Sequence, residues 1–247
     1  MAELVIKTKQ SIAEEEEDLV FDAVEPIELR YERISVTAKI KIEEEVDGKT
    51  VEVDGEKNIL KECSGCFSPE TFTAILGPSG CGKTTMLNLI SGRQLSDNLE
   101  LRGVLRVNGE ETPSILKYKN YIGYVMQEDY MLPTFTPYEA FKFVTDLRLS
   151  EISEEERERV VESIIKNLGL QKCRDTYIGD TRIRGVSGGE KKRTSIGLEL
   201  LINPSIIFLD EPTTGLDSTT SLNLVRFLNK LAKKGRTVIS TIHQPSS

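Results

Sequence analysis

At 247 residues, 38% hydrophobic and 29% charged, the chain has the size and composition of one soluble α/β domain with a sizeable core. No apolar run approaches the ~20 residues that cross a bilayer, and the opening MAELVIKTKQ lacks the apolar segment of a secretion signal, so any membrane role requires a part outside this sequence. The net charge of −8 is uneven: residues 1–28 carry nine acids and two bases, which predicts a disordered acidic tail, and the near-neutral remainder argues against a nucleic-acid-binding surface.

Beyond the tail, Glu28 to Ile42 alternates apolar and polar residues, the period of a strand. The run EEEVDGKTVEVDGEKN predicts a hairpin with turns at its two Asp-Gly pairs. Ile59 to Phe67 and Thr71 to Leu76 follow as strands, then a glycine-rich loop and a helix from Lys83 to Ile90 that stops near Gly92. Val104 to Val107 and Ile122 to Met126 are short strands, the first ending in an Asn108-Gly109 turn. Thr136-Pro137-Tyr138-Glu139 and Ser153-Glu154-Glu155-Glu156 are capping boxes, each opening a helix, and the second helix ends at Gly169. A helical insertion over about 136–185 therefore interrupts the strands. Alternation then resumes with a helix after Gly189, the strand Ile206 to Leu209, a helix from Ser218 to Lys234 and the strand Val238 to Ile242. Strands so continuously apolar predict a parallel sheet covered on both faces.

Four cysteines without a secretion signal indicate a reducing compartment. Cys63 and Cys66 form a C-x-x-C, but the single histidine is far away at His243, and the motif lies in a strand-like run rather than at a helix start. Neither a zinc site nor a redox pair is expected there.

The chemistry gathers elsewhere. Gly77-Pro78-Ser79-Gly80-Cys81-Gly82-Lys83-Thr84, followed by Thr85, is a complete G-x-x-x-x-G-K-[ST] phosphate loop between a strand and a helix. Its glycines let backbone N–H groups turn toward phosphate oxygens, and the helix N-terminus adds positive potential. Lys83 is suited to neutralising β/γ-phosphate charge, and the Thr84 hydroxyl to a Mg2+ coordination position. The run IIFLDE delivers Asp210 and Glu211 at a strand's C-terminal end, where ligands bind in open α/β sheets. Asp210 is suited to holding Mg2+, and Glu211 to polarising an attacking water.

Those two motifs indicate a P-loop nucleotidase of open class. Gly185-Val186-Ser187-Gly188-Gly189-Glu190, 20 residues ahead of Asp210, resembles the signature of the ABC family in a variant form, with Val186 and Glu190 in place of the usual leucine and glutamine. The resemblance implies an ATP-hydrolysing domain that acts as a two-chain sandwich, in which Ser187, Gly188 and Gly189 contact the γ-phosphate of the opposite chain's ATP. It also implies that Gln127 is the glutamine that contacts Mg2+ and relays movement to a membrane part. Gly215-Leu216-Asp217 is similar to the loop that crosses the dimer interface, with Asp217 near the nucleotide, and His243 to the switch histidine on the γ-phosphate. The runs VSGGEKKRTSIGLELI, LDEPTTGLDS, TIHQPSS and MQEDYMLPTFTPYEA look like the G subfamily of ABC transporters. That likeness covers 29–247 and implies a truncated C-terminal end, with a membrane domain beyond it and this domain on the cytoplasmic side.

Other readings are a soluble ABC ATPase uncoupled from transport, which predicts a basic surface or inserted coiled coil, and a silent regulatory domain, which predicts loss of Lys83, Glu211 or His243. No aromatic occupies Ser35 to Ile42, where many such ATPases stack adenine; Tyr31 is nearby, as an adenine contact or as a packed strand residue. The run Lys191-Lys192-Arg193 reads as a solvated face.

Overall fold

The computed structural model describes residues 24–46, 49–93 and 98–243, and within these the side chains of 42–53 are left aside. Two four-stranded sheets organise them. Strands β1 (Leu29–Val46), β2 (Lys49–Phe67), β4 (Leu99–Val107) and β5 (Glu110–Thr112) form an antiparallel sheet in the order β2-β1-β4-β5. Strands β3 (Thr71–Leu76), β6 (Ile122–Val125), β7 (Ile206–Leu209) and β8 (Thr237–Ile242) form a parallel sheet in the order β3-β8-β7-β6. The expected α/β architecture, with an antiparallel part and a parallel core, is thus present.

β7 shows why its sequence carries no alternation. Ile206 and Phe208 face a core shared with α1 (Lys83–Ser91) and the antiparallel sheet, together with Leu87, Ile90, Leu29 and Ile34. Ile207 and Leu209 face the opposite core, built on α2 (Pro137–Arg148), α3 (Glu154–Asn167), α4 (Gly188–Leu200) and α5 (Ser218–Ala232). Successive strand residues point to opposite faces, so a strand covered on both sides loses the polar alternation, and β7 is apolar at every position.

Both predicted capping boxes form. Glu139 N donates to Thr136 Oγ1 at 3.2 Å while Thr136 N donates to Glu139 Oε2 at 2.9 Å, and Ser153 and Glu156 repeat the exchange. Asn108 and Gly109 adopt φ of 49° and 83°, the two positive values a type I′ hairpin turn requires, and join β4 to β5.

The Asp-Gly expectation is corrected in part. Asp47-Gly48 lies outside the described residues, whereas Asp54-Gly55 is no turn: it sits within β2, opposite Lys41 and Ile40. The ladder to β1 is in register on both sides of that pair, and the continuous hydrogen bonding overrides the local turn preference. β5 and the 3-10 helix Ile115–Tyr121 were not anticipated, being too short for a hydrophobic period. The segment ahead of β1 is already anchored, with Ile27 buried, its carbonyl accepting from Thr237 Oγ1 at 2.5 Å, and Glu28 N donating to Asn108 Oδ1 at 2.7 Å.

Gly197 on α4 sets the closeness of the helical layer, since a Cβ there would stand 2.6 Å from both Phe141 Cζ and Leu168 Cδ1. Gly197→Val should therefore destabilise the domain by about 1–3 kcal/mol through overpacking. A urea titration should show a lower midpoint at unchanged slope.

Candidate functional site

The phosphate loop leaves the end of β3 and enters α1 through two left-handed glycines, Gly80 at φ 76° and Gly82 at φ 94°. Gly82 is required twice over, because a Cβ there would also lie 2.9 Å from the Ile59 carbonyl oxygen of β2. Lys83 opens α1 with its side chain only 5% exposed. Its ammonium donates to the carbonyls of Gly77 at 2.9 Å and Pro78 at 3.1 Å and pairs with Glu211 Oε1 at 3.4 Å. A buried cation needs this compensation, and the oxygens that supply it line the loop.

Asp210 and Glu211 follow β7, where the sequence places them. Asp210 Oδ1 accepts from Thr84 Oγ1 at 3.1 Å and from Thr241 Oγ1 at 2.7 Å. Thr241 Oγ1 in turn accepts from Glu211 N at 2.8 Å, so one hydroxyl on β8 holds both acidic residues. Glu211 has φ of 44°, a left-handed conformation that turns its carboxylate back over the sheet end. Its Oε2 accepts from Gln127 Nε2 at 3.4 Å and from Thr214 Oγ1 at 3.1 Å. Ser79 Oγ and His243 Nε2 are 2.6 Å apart. Ser79, Lys83, Thr84, Gln127, Asp210, Glu211 and His243, predicted from positions spread over the chain, thus meet at one end of the parallel sheet.

Ser187, Gly188, Gly189 and Asp217 lie in a second cluster. Ser187 caps α4 in a third capping box: Glu190 N donates to its Oγ at 3.3 Å, and Ser187 N donates to Glu190 Oε2 at 2.8 Å. Burial pushes the Glu190 carboxyl up, and hydrogen bonds from Ser187 outweigh this to hold it below its usual value. Asp217 caps α5, accepting from Thr219 N and Thr220 N at 3.0 Å each, and bonds from Thr220 hold its carboxyl low. A Cβ on Gly189 would meet Thr220 Cγ2 at 2.6 Å, so the two helix starts pack together. Both Ser187 and Asp217 are exposed.

Lys192 and Thr241 differ from the sequence reading or were missed by it, and Tyr31 takes the second of its two readings. Lys192 is not solvated but 3% exposed, with its Nζ 2.9 Å from the Gln127 carbonyl and 2.7 Å from Asp129 Oδ1. Tyr31 packs in the strand layer, its ring 5.4 Å from that of Phe67 and over Gly65. Thr241 was overlooked although a signal existed: Thr237, Ser240 and Thr241 are hydroxyls within an otherwise apolar strand. Cys173 is buried, and desolvation pushes its thiol up to about 11, with Glu190 nearby adding to the effect.

The donors fit a hard divalent cation beside a polyphosphate. Thr84 and Asp210 supply oxygens at a single point, and Gln127 adds an amide oxygen close by. Among the described residues no helix is long and apolar enough to cross a membrane.

A phosphate loop and strand-end carboxylates on a parallel sheet, joined to an antiparallel sheet and a helical layer, define an ABC-type P-loop ATPase domain. The family model described as ABC transporter matches residues 60–214, and the curated relatives are G family members, so the chain belongs to the ABC transporter family, G subfamily. It is 43% identical over 238 residues to ABC transporter G family member 26 of Arabidopsis thaliana, covering 92% of this chain and 34% of that protein. Identity to ABC transporter G family member 25 of the same plant is 49% over 195 residues, with 78% of this chain and 29% of the relative covered. ABC transporter G family member STR2 of Medicago truncatula is 42% identical over 219 residues, covering 89% and 29%. The chain spans about a third of the length of these relatives.

Thr241→Val should keep the shape of β8 but leave the Glu211 N–H without its acceptor and Asp210 with one donor fewer. The expected loss of stability is about 1–3 kcal/mol. ATP turnover should fall beyond what the remaining folded fraction explains, as read by a melt and an ATPase assay on the same preparation.

Proposed function

We propose that this domain binds and hydrolyses ATP and thereby drives substrate translocation by a G-subfamily transporter, working as a dimer around two ATP molecules. The observation that carries the reading is the placing of Glu211. Its carboxylate lies between the loop cation Lys83 and the Gln127 amide, beside the Thr84–Asp210 pair. That is where a γ-phosphate and an attacking water belong if the triphosphate lies along the loop.

In this reading backbone N–H groups of Gly80 to Thr85 cradle the phosphates, and the Lys83 ammonium exchanges its carbonyl partners for β- and γ-phosphate oxygens. Thr84, Asp210 and Gln127 are the residues that would hold Mg2+, which when bound neutralises phosphate charge. Glu211 accepts a proton from the water as its oxygen bonds to the γ-phosphorus. The bond from that phosphorus to the bridging oxygen breaks, giving ADP and phosphate. His243, steadied by Ser79, donates to the γ-phosphate. The exposed Ser187 cluster, apart from this chain's own loop, serves the ATP of the second copy. A membrane domain completes the transporter, and the relatives' names support that assignment.

Lys83 and Glu211 act at different stages, and substitutions should separate them. Lys83→Ala should abolish ATP binding. Glu211→Gln should bind normally and hydrolyse about 10²–10⁴-fold more slowly, the usual cost of a lost general base. Nucleotide binding and single-turnover rates measure the two, and wild-type turnover in Glu211→Gln would remove it as the base.

Ser187→Arg tests the dimer. Binding to the isolated domain should be little changed, while hydrolysis in the assembled transporter should collapse. Loss of binding by the isolated domain would instead place Ser187 in its own chain's site.

A further inference from the structure

Lys192 has no part in the chemistry above, yet it is a buried cation beside the site with oxygen partners of its own. Its Nζ donates to the Gln127 carbonyl at 2.9 Å and the Met126 carbonyl at 3.4 Å and forms an ion pair with Asp129 Oδ1, 2.7 Å away. All three belong to the turn that leaves β6. The sheet fixes that chain only as far as Val125, paired with Leu209, and beyond it the backbone has no strand partner. Lys192 therefore holds the backbone of the residue whose side chain reaches Glu211 at 3.4 Å.

The other end of the contact matters equally. Lys192 lies in α4, whose first turn is Ser187 with Gly188 and Gly189. Ser187 and Lys192 are joined by little more than one helical turn, which moves as a unit. A shift of Ser187 is thus carried through one buried ammonium to Gln127.

We propose that Lys192 is a positioning residue that couples the two half-sites of each chain, the Ser187 cluster that serves the partner's ATP and the Gln127–Glu211 pair that serves its own. This rests on the reading of those groups given above. A purely structural lysine would be needed for folding alone. A positioning lysine sets where Gln127 stands, and misplacement by about 1 Å can cost about 10²-fold in rate.

Lys192→Met alone strands the Asp129 carboxylate and can prevent folding. The test therefore uses Lys192→Met/Asp129→Asn, which removes both charges, in the complete transporter chain, beside Gln127→Ala and the combination of all three. We expect the charge-free pair to keep its melting temperature and MgATP affinity, to lose about 10–100-fold in kcat with little change in KM, and to lower turnover no further when added to Gln127→Ala. Lys192→Arg, whose planar fork cannot satisfy the same three oxygens, should fold and show an intermediate kcat. Wild-type kcat in the charge-free pair overturns the proposal, as does an equal further loss in the Gln127→Ala background. Failure of both the charge-free pair and Lys192→Arg to fold assigns Lys192 to stability and also overturns it. If Gln127→Ala itself turns over at the wild-type rate, the reading of the site falls and the coupling with it; a slow Gln127→Ala beside a normal Lys192 pair removes the coupling alone.

Discussion

The buried ammonium of Lys83 is the constraint on which the site depends. A cation this deep costs too much free energy to stand alone, and its partners come from distant parts of the chain. Two are carbonyls of its own loop, and the third is the carboxylate of Glu211 at the far end of β7. That pairing draws the start of α1 and the end of β7 to one edge of the parallel sheet. The strand order β3-β8-β7-β6 inserts β8 between the loop strand and the acidic strand. Thr241 on the inserted strand then bridges Asp210 and Glu211, and His243 just past its end reaches Ser79.

The surrounding layers serve this geometry. α1 is buried between the parallel sheet and the antiparallel sheet, with Leu87 and Ile90 in the same core as Phe208 and Leu29. The helix that delivers Lys83 therefore has little freedom to tilt. On the opposite face α4 is pressed against α2 and α3 across Gly197, so the helical layer and the Ser187 turn share one packing unit. Lys83 and Glu211 lie at the sheet end, and Ser187 and Asp217 lie at the capped starts of α4 and α5. Within the chain α4 reaches the turn after β6 through Lys192.

Glu190 illustrates how a variant residue is accommodated. As the third residue of α4 it completes a capping box with Ser187, the arrangement that a carboxylate favours at a helix start. The same bonds that stabilise the helix hold its carboxyl ionised against the cost of burial. The Ser187 hydroxyl is thereby oriented by the helix's own cap.

Much of the site was legible in the sequence because its motifs are local. The spacing of Gly77 to Thr84 specifies a loop between strand and helix, the boxes at Thr136 and Ser153 are closed within four residues, and an all-apolar run before Asp210 fits a strand buried on both faces. The signature and switch positions were placed by family likeness rather than by physics. What the sequence did not reveal depends on contacts between elements far apart in the chain. Thr241 gains its role from β8 lying beside β7, and nothing in TVISTI says which hydroxyl will meet Asp210. In Lys191-Lys192-Arg193 the three charges look alike, and only the packing of α4 against the turn after β6 decides that the middle one is buried. Likewise Asp54-Gly55 has the composition of a turn and lies in a strand because β1 pairs across it. Local chemistry was thus determined by the residues themselves, whereas neighbourhood across the sheet, which sets burial and hydrogen-bond partners, was decided only by the tertiary structure.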